Sequence, residues 1–156
     1  MDFTEVLNSK PADIEKPPLP PKGEYTYKVT KPGTMRDAGE KYTVISFSCQ
    51  AIAAHESVDA DMLNESGGLA SAHNKVDFMF TKNPENDEEG LNNQRTAERL
   101  KRFLFEHLGM EDEGQSMKAA IEAAANYQFI GTMDYRKDKN DPENMFAQIT
   151  KTAPAA

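Results

Sequence analysis

Apolar and polar residues alternate with period two in five stretches of the chain and recur at helical spacing in two others. In 23–31, GEYTYKVTK, Tyr25, Tyr27 and Val29 alternate with Thr26, Lys28 and Thr30. Successive side chains of a strand point to opposite faces, so this pattern predicts a half-buried strand. In 41–54 the same logic sets Ile45, Phe47, Cys49 and Ala51 against Tyr42, Val44, Ser46 and Ser48. A third strand is expected at 75–82, where Val76, Phe78 and Phe80 oppose Lys75, Asp77 and Met79. Two more, 127–135 and 144–151, flank the polar tip RKDKNDPEN.

The helical stretches lie between the third and fourth strands. In 91–110, Ala97, Leu100, Phe103, Leu104, His107 and Leu108 fall on one face, Glu98 and Arg102 stand at i,i+4, and Gly109 offers a stop. A second helix is predicted over 116–126, Ala-rich and with Ser116 as its N-cap. Residues 1–22 end in PPLPPK, a composition that favours an extended polyproline arm; 32–40 reads as a turn, 55–74 as an aperiodic excursion, and 153–156 as a frayed, disordered tail. The predicted organisation is thus a Pro-rich arm (1–22), a domain (23–152) and the tail. The order β-β-β-α-α-β-β predicts a mainly β fold with a helical insert: a five-stranded OB-fold, or Greek-key barrel, with two helices between strands 3 and 4. A small open α+β sheet fits the same order.

Composition narrows the function classes. The 156 residues are 38% hydrophobic, enough for one lean core, and no apolar run reaches the about 18 residues of a membrane helix. The first ten residues lack a basic n-region and an apolar h-region, so a cytoplasmic protein is the expectation. The single Cys49 sits in an alternating strand, which predicts a buried, inert thiol, and His55, His73 and His107 show no metal-ligand spacing. No phosphate-binding loop, dinucleotide fingerprint, nucleophile elbow or zincin motif is present. Asp59, Asp61, Asn64 and Glu65 cluster without calcium-loop register, which leaves them a polar loop. No enzyme, metal or cofactor is therefore expected.

Net charge is −8, from 18 Lys and Arg against 26 Asp and Glu. Much of the acidity lies in 83–90 and 109–114, both read as loops, so a locally basic face is compatible with the total. On an OB barrel the ligand face comprises strands 2 and 3 with the first-to-second and fourth-to-fifth loops. That places Lys28, Lys31, Arg36 and Lys41 on one side and Arg136, Lys137 and Lys139 on the other, with Tyr42 and Tyr135 at strand ends and Phe146 off the core phase. Cations for phosphates and flat rings for bases are what a single strand of nucleic acid requires. Arg95, Arg99, Lys101 and Arg102 form a second basic group on the first helix, where a merely solvated face is the simpler reading.

KGEYTYKV, RLKRFLFEHLGM and AIEAAANYQFIGTMDYRKDKNDPENMFAQI, with the ending TKTAPAA, resemble the small OB-fold single-stranded DNA-binding proteins of tailed bacteriophages over roughly residues 22–153. The resemblance is one of layout and spacing, with Glu143, Asn144 and Phe146 falling where the pattern expects them. It implies a non-enzymatic protein that coats single-stranded DNA in the host cytoplasm during replication, recombination or repair. Lys28, Arg36, Lys41, Tyr42, Tyr135, Arg136, Lys137 and Lys139 are the binding residues it implicates. The chain lacks the acidic, aromatic-tipped C-terminus of many such proteins, which turns the search for contacts with replication or recombination proteins to the N-terminal arm. The alternative is an OB-like protein-interaction or accessory module without DNA binding. Monomer and dimer are both compatible with the pattern.

Overall fold

The computed structural model describes residues 1–155. It is mostly β: a single antiparallel sheet of six strands with a few helices. The strands are β1 (Gly23–Val29), β2 (Thr34–Ala38), β3 (Tyr42–Ala54), β4 (His73–Thr81), β5 (Gln128–Lys137) and β6 (Met145–Pro154). β3 is the hub. Its residues from Tyr42 to Gln50 pair with β4, while β2 and β1 pair with successive stretches, Tyr42–Ser46 and Cys49–Ala54, along the other edge. β1 also pairs with β5, and β5 with β6. β4 and β6 are consequently free edges at the ends of the path β4-β3-β1-β5-β6, and β2, paired with β3 alone, leaves another.

The sheet curls until the edges of β4 and β6 approach. Tyr27 donates its hydroxyl to Asn74 Oδ1 (3.0 Å), and Asn74 Nδ2 donates across the seam to the Ala147 carbonyl (3.2 Å). Inside the curl the alternating residues meet as predicted. Tyr25, Tyr27, Val29, Ile45, Phe47, Cys49, Ala51, Phe78, Phe129 and Met133 form the core with Leu100, Phe103 and Leu104 of the insert. Burial pushes the Cys49 thiol up to about 12, so it stays protonated and unreactive at neutral pH.

The helices are α1 (Phe3–Asn8), α2 (Ala60–Glu65), α3 (Asp87–Arg102) and α4 (Met117–Glu122). α3 starts at the Asn86 cap, carries Asp87, Glu88 and Glu89 in its first turn and Arg99, Lys101 and Arg102 in its last, each charge matched to the helix dipole. It continues into a π-helical turn (Phe103–His107), closed by Leu108 N–H to the Phe103 carbonyl at 2.8 Å. Ser116 caps α4 as expected. In the 55–74 excursion, Asp59 caps α2, and Val58, Leu63 and Ala72 drop into the core.

Three expectations need correction. The sheet has six strands, not five, because 34–38 is not a turn. β2 is almost wholly exposed and carries no apolar alternation; it is a strand because the backbone of β3 supplies its partners. The arm is not extended throughout: Asp2 caps α1, a 3₁₀ turn follows at Pro11–Asp13, and the chain runs extended only beyond it. The arm lies on the domain rather than hanging free. Pro20 and Pro21 are buried, and their carbonyls accept the hydroxyls of Tyr135 (2.8 Å) and Tyr25 (2.6 Å). Lys16 Nζ donates to Asn144 Oδ1 and, at 2.8 Å, to the Met145 carbonyl. Finally, the tail is not frayed from 153: Ala153 and Pro154 pair with Ile130 and Phe129, a strand end that Pro tolerates. Ala156 lies outside the described residues. No helix among the described residues is long and apolar enough to cross a membrane.

One close approach in the sheet is testable. A Cβ at Gly131 would stand 2.7 and 2.8 Å from Tyr27 Cδ2 and Cε2. The Tyr27 ring has no room to retreat: it is fully buried, stacked on Phe129 at 5.5 Å and tied through its hydroxyl to Asn74. Gly131→Ala is expected to destabilise the fold by about 1–3 kcal/mol, the usual range for overpacking, read as a lower urea midpoint at unchanged slope.

Candidate nucleic-acid interface

The facing edges of β4 and β6 wall a groove of about 890 Å³. β4 contributes residues from His73 to Phe78 and β6 from Phe146 to Thr152; α3 and the π turn add Arg99, Arg102, Phe103 and His107. Thr30 and Lys31 enter from the segment after β1, and Arg136 from β5.

The charge of this groove is opposite to that of the chain. Among the described residues, Lys31, Lys75, Arg99, Arg102, Arg136 and Lys151 line it against a single carboxylate, Asp77. Arg102 is shared with Glu98 (3.2 Å) and Glu106 (3.7 Å). None of Lys31, Lys75, Arg99, Arg136 and Lys151 forms an ion pair among the described residues. In a chain with 26 acidic residues, five cations gathered without carboxylate partners leave an attractive field for an anion. Arg99 lies over the Phe78 ring at 5.5 Å, which holds its guanidinium at the groove wall.

Flat surface and polar groups complete the lining. Phe146 is 44% exposed, far more than an aromatic on a folded strand needs to be. Its strand partner is Arg136, so the two side chains share one face of the β5–β6 ribbon. His107 Nδ1 lies 2.7 Å from Thr152 Oγ1. Burial holds the His107 imidazole below its ordinary range; Glu106 pulls the other way and Arg102 adds to the lowering, so it is neutral at pH 7 and contributes no charge. Gln50 is fixed by donating to the carbonyls of Leu69 (2.7 Å) and Ala51 (3.0 Å), which ties the 55–74 excursion to the groove's edge.

The residues singled out in the sequence divide into four groups. Arg136 lines the groove. Lys28, Arg36 and Tyr42 stand outside it on the outward face of β1, β2 and β3, opposite Gln50, Val44 and Ala38 respectively. Lys137 and Lys139 are exposed at the β5–β6 tip. The remaining two are engaged within the fold. Lys41 pairs with Glu89 at 2.9 Å, and that hydrogen bond raises its pKa; the Glu89 carboxyl is lowered first by the Glu85 backbone N–H and then by Lys41. Tyr135 is half-buried, its hydroxyl on Pro20 and its ring under Lys22 at 5.4 Å, so it is not open to a base. Lys31, Arg99, Arg102 and Phe146 were visible in the sequence as a loop cation, a second basic group and an off-phase ring. Lys75 and Lys151 were not, because only the approach of β4 to β6 makes them neighbours of the rest.

A groove of this kind can do two things. It can neutralise several phosphates in a row, and it can offer a ring against which a base stacks. Among the described residues no group of His, Cys, Asp and Glu is placed to hold a metal ion. No protein-family model matches the chain, and no curated protein matches it either.

Proposed function

We propose that this chain binds single-stranded DNA along the β4–β6 groove, without catalysis. The observation that carries the reading is the convergence of five unpaired cations on one groove in a chain of net charge −8. Phosphates lie on Lys31, Lys75, Arg99, Arg136 and Lys151, and a base stacks on Phe146. The curled sheet is read as an OB-type barrel. β1 and β2, successive along one edge of β3, act together as its first strand; the groove then lies between its third and fifth strands, with Ser48, Cys49 and Gln50 of the second at its edge. The resemblance to phage single-stranded DNA-binding proteins supports a role in replication, recombination or repair.

The test is fluorescence anisotropy of a labelled mixed-sequence oligonucleotide of about 30 nucleotides, longer than the footprint of one OB domain. Each neutralised phosphate on a single strand contributes about −0.7 to the slope of log K against log salt, so five cations predict a slope of about −3.5. The matching duplex is expected to bind far more weakly. A flat response at low salt would remove the reading.

One observation favours a second one. α1 buries none of its residues and exposes Phe3 (75%) and Leu7 (67%), a pair at i,i+4. That fits an OB-like module that recruits proteins through its arm, and an absence of DNA binding would leave it standing.

A further inference from the structure

A carboxylate in a groove that collects phosphates works against the groove's own field, and Asp77 is the only one there among the described residues. It lies on β4, two residues from Lys75 and therefore on the same face. Its partner across the ladder is Ser46, 4% exposed, whose hydroxyl donates to Asp77 Oδ1 at 2.5 Å. The residue itself is exposed, and it makes no ion pair among the described residues despite the cations around it. One oxygen is thus anchored to a buried hydroxyl, and the other is open to the groove. The anchor fixes the direction of an acceptor that no protein donor consumes.

Base edges are where such an acceptor finds donors. On the edge used for pairing, guanine alone presents two adjacent donors, its ring N1–H and its 2-amino group. Thymine presents one N–H between two carbonyl oxygens. Adenine and cytosine each present an amino group beside a ring-nitrogen lone pair, which repels a carboxylate. Unpaired bases in a single strand expose these edges to side chains. Phe146, on the wall across the seam, offers a surface on which a base so presented stacks.

We propose that Asp77 reads guanine in a single strand held in the groove, giving an otherwise sequence-tolerant site a preference for G-containing DNA. The inference rests on the single-stranded DNA reading above and adds base selection to it. The competing role for the same carboxylate is to dilute the groove's positive charge, which would act on every sequence alike.

Replacing guanine by hypoxanthine removes the 2-amino group while leaving the ring system that stacks. The full chain is titrated with labelled strands of repeating T-T-G, T-T-I (I carrying hypoxanthine) and T-T-T, in lithium buffer to prevent guanine quadruplexes. The G strand is expected to bind about tenfold tighter than the I strand, the effect of one hydrogen bond to a charged acceptor. In Asp77→Asn the difference is expected to shrink to within about twofold. Equal binding of G and I strands by the unaltered protein, which needs no variant, overturns the proposal while leaving single-strand binding intact. A ratio that survives in Asp77→Asn while all three strands tighten together overturns it in favour of charge dilution. No binding of any strand overturns the groove reading itself, and base selection with it.

Discussion

Phe103→Ala is expected to destabilise the protein by about 3–5 kcal/mol, the range for emptying an aromatic site in a packed core. The ring is 1% exposed and contacts Phe129, Phe47 and Phe78, with centroids 5.2, 5.3 and 5.7 Å away. Those partners come from β5, β3 and β4, so this one side chain from the π turn joins the helical insert to three strands that sequence separates. No neighbour can fill the space, since Phe47 and Phe129 are themselves fully buried and locked in aromatic contacts. For a domain of 156 residues the loss corresponds to a drop of roughly 6–20 °C in melting temperature. Scanning calorimetry checks it. Because Phe103 also lines the groove, binding should weaken even at temperatures where the variant remains folded. A variant that melts within about 2 °C of the parent would show that the insert is not part of the common core.

The fold was legible where burial alone decides the side chain. Tyr25, Tyr27 and Val29 on β1, and Ile45, Phe47, Cys49 and Ala51 on β3, are all buried, as period two requires. The first helix was legible for the same reason at helical spacing, although its start lies further back, at the Asn86 cap in the acidic loop. What was not legible depended on partners remote in the chain. β2 carries no hydrophobic signal and exists through backbone pairing. Pro154 ends β6 because, past the extra residue Thr150 on β6 opposite Thr132 and Met133, the ladder with β5 continues to Phe129.

The candidate site divides along the same line. Expecting cations on loops found Arg136, but it also selected Lys41, whose ammonium is taken by Glu89, and Tyr135, which lies under the arm. Local sequence shows that a Lys is present and not whether a carboxylate from another element has claimed it. The groove cations come from β4, β5, β6, α3 and the segment after β1. Their convergence follows from sheet curl, and curl is set by the core.

That distinction produces the sharpest functional contrast. Replacing Lys75, Arg136 and Lys151 together by Gln is expected to weaken single-stranded DNA binding about 100-fold at 0.1 M salt. The salt slope should fall from about −3.5 to about −1.4, since each phosphate left without its cation takes about 0.7 off the slope. None of the three forms an ion pair, so the melting temperature should hold within the few tenths of a kcal/mol typical of surface changes. The matched control replaces Lys41, Lys137 and Lys139, equal in charge and lying outside the groove lining. Long-range attraction over a Debye length of about 10 Å is all these contribute, so the control is expected to stay within about threefold of the parent. Equal losses in the two triples would mean that the whole surface field, not the groove, holds the strand. A larger loss in the control would move the site to the β5–β6 tip and the outer face of β3. The groove assignment requires the first triple to fail where the second does not, at equal net charge.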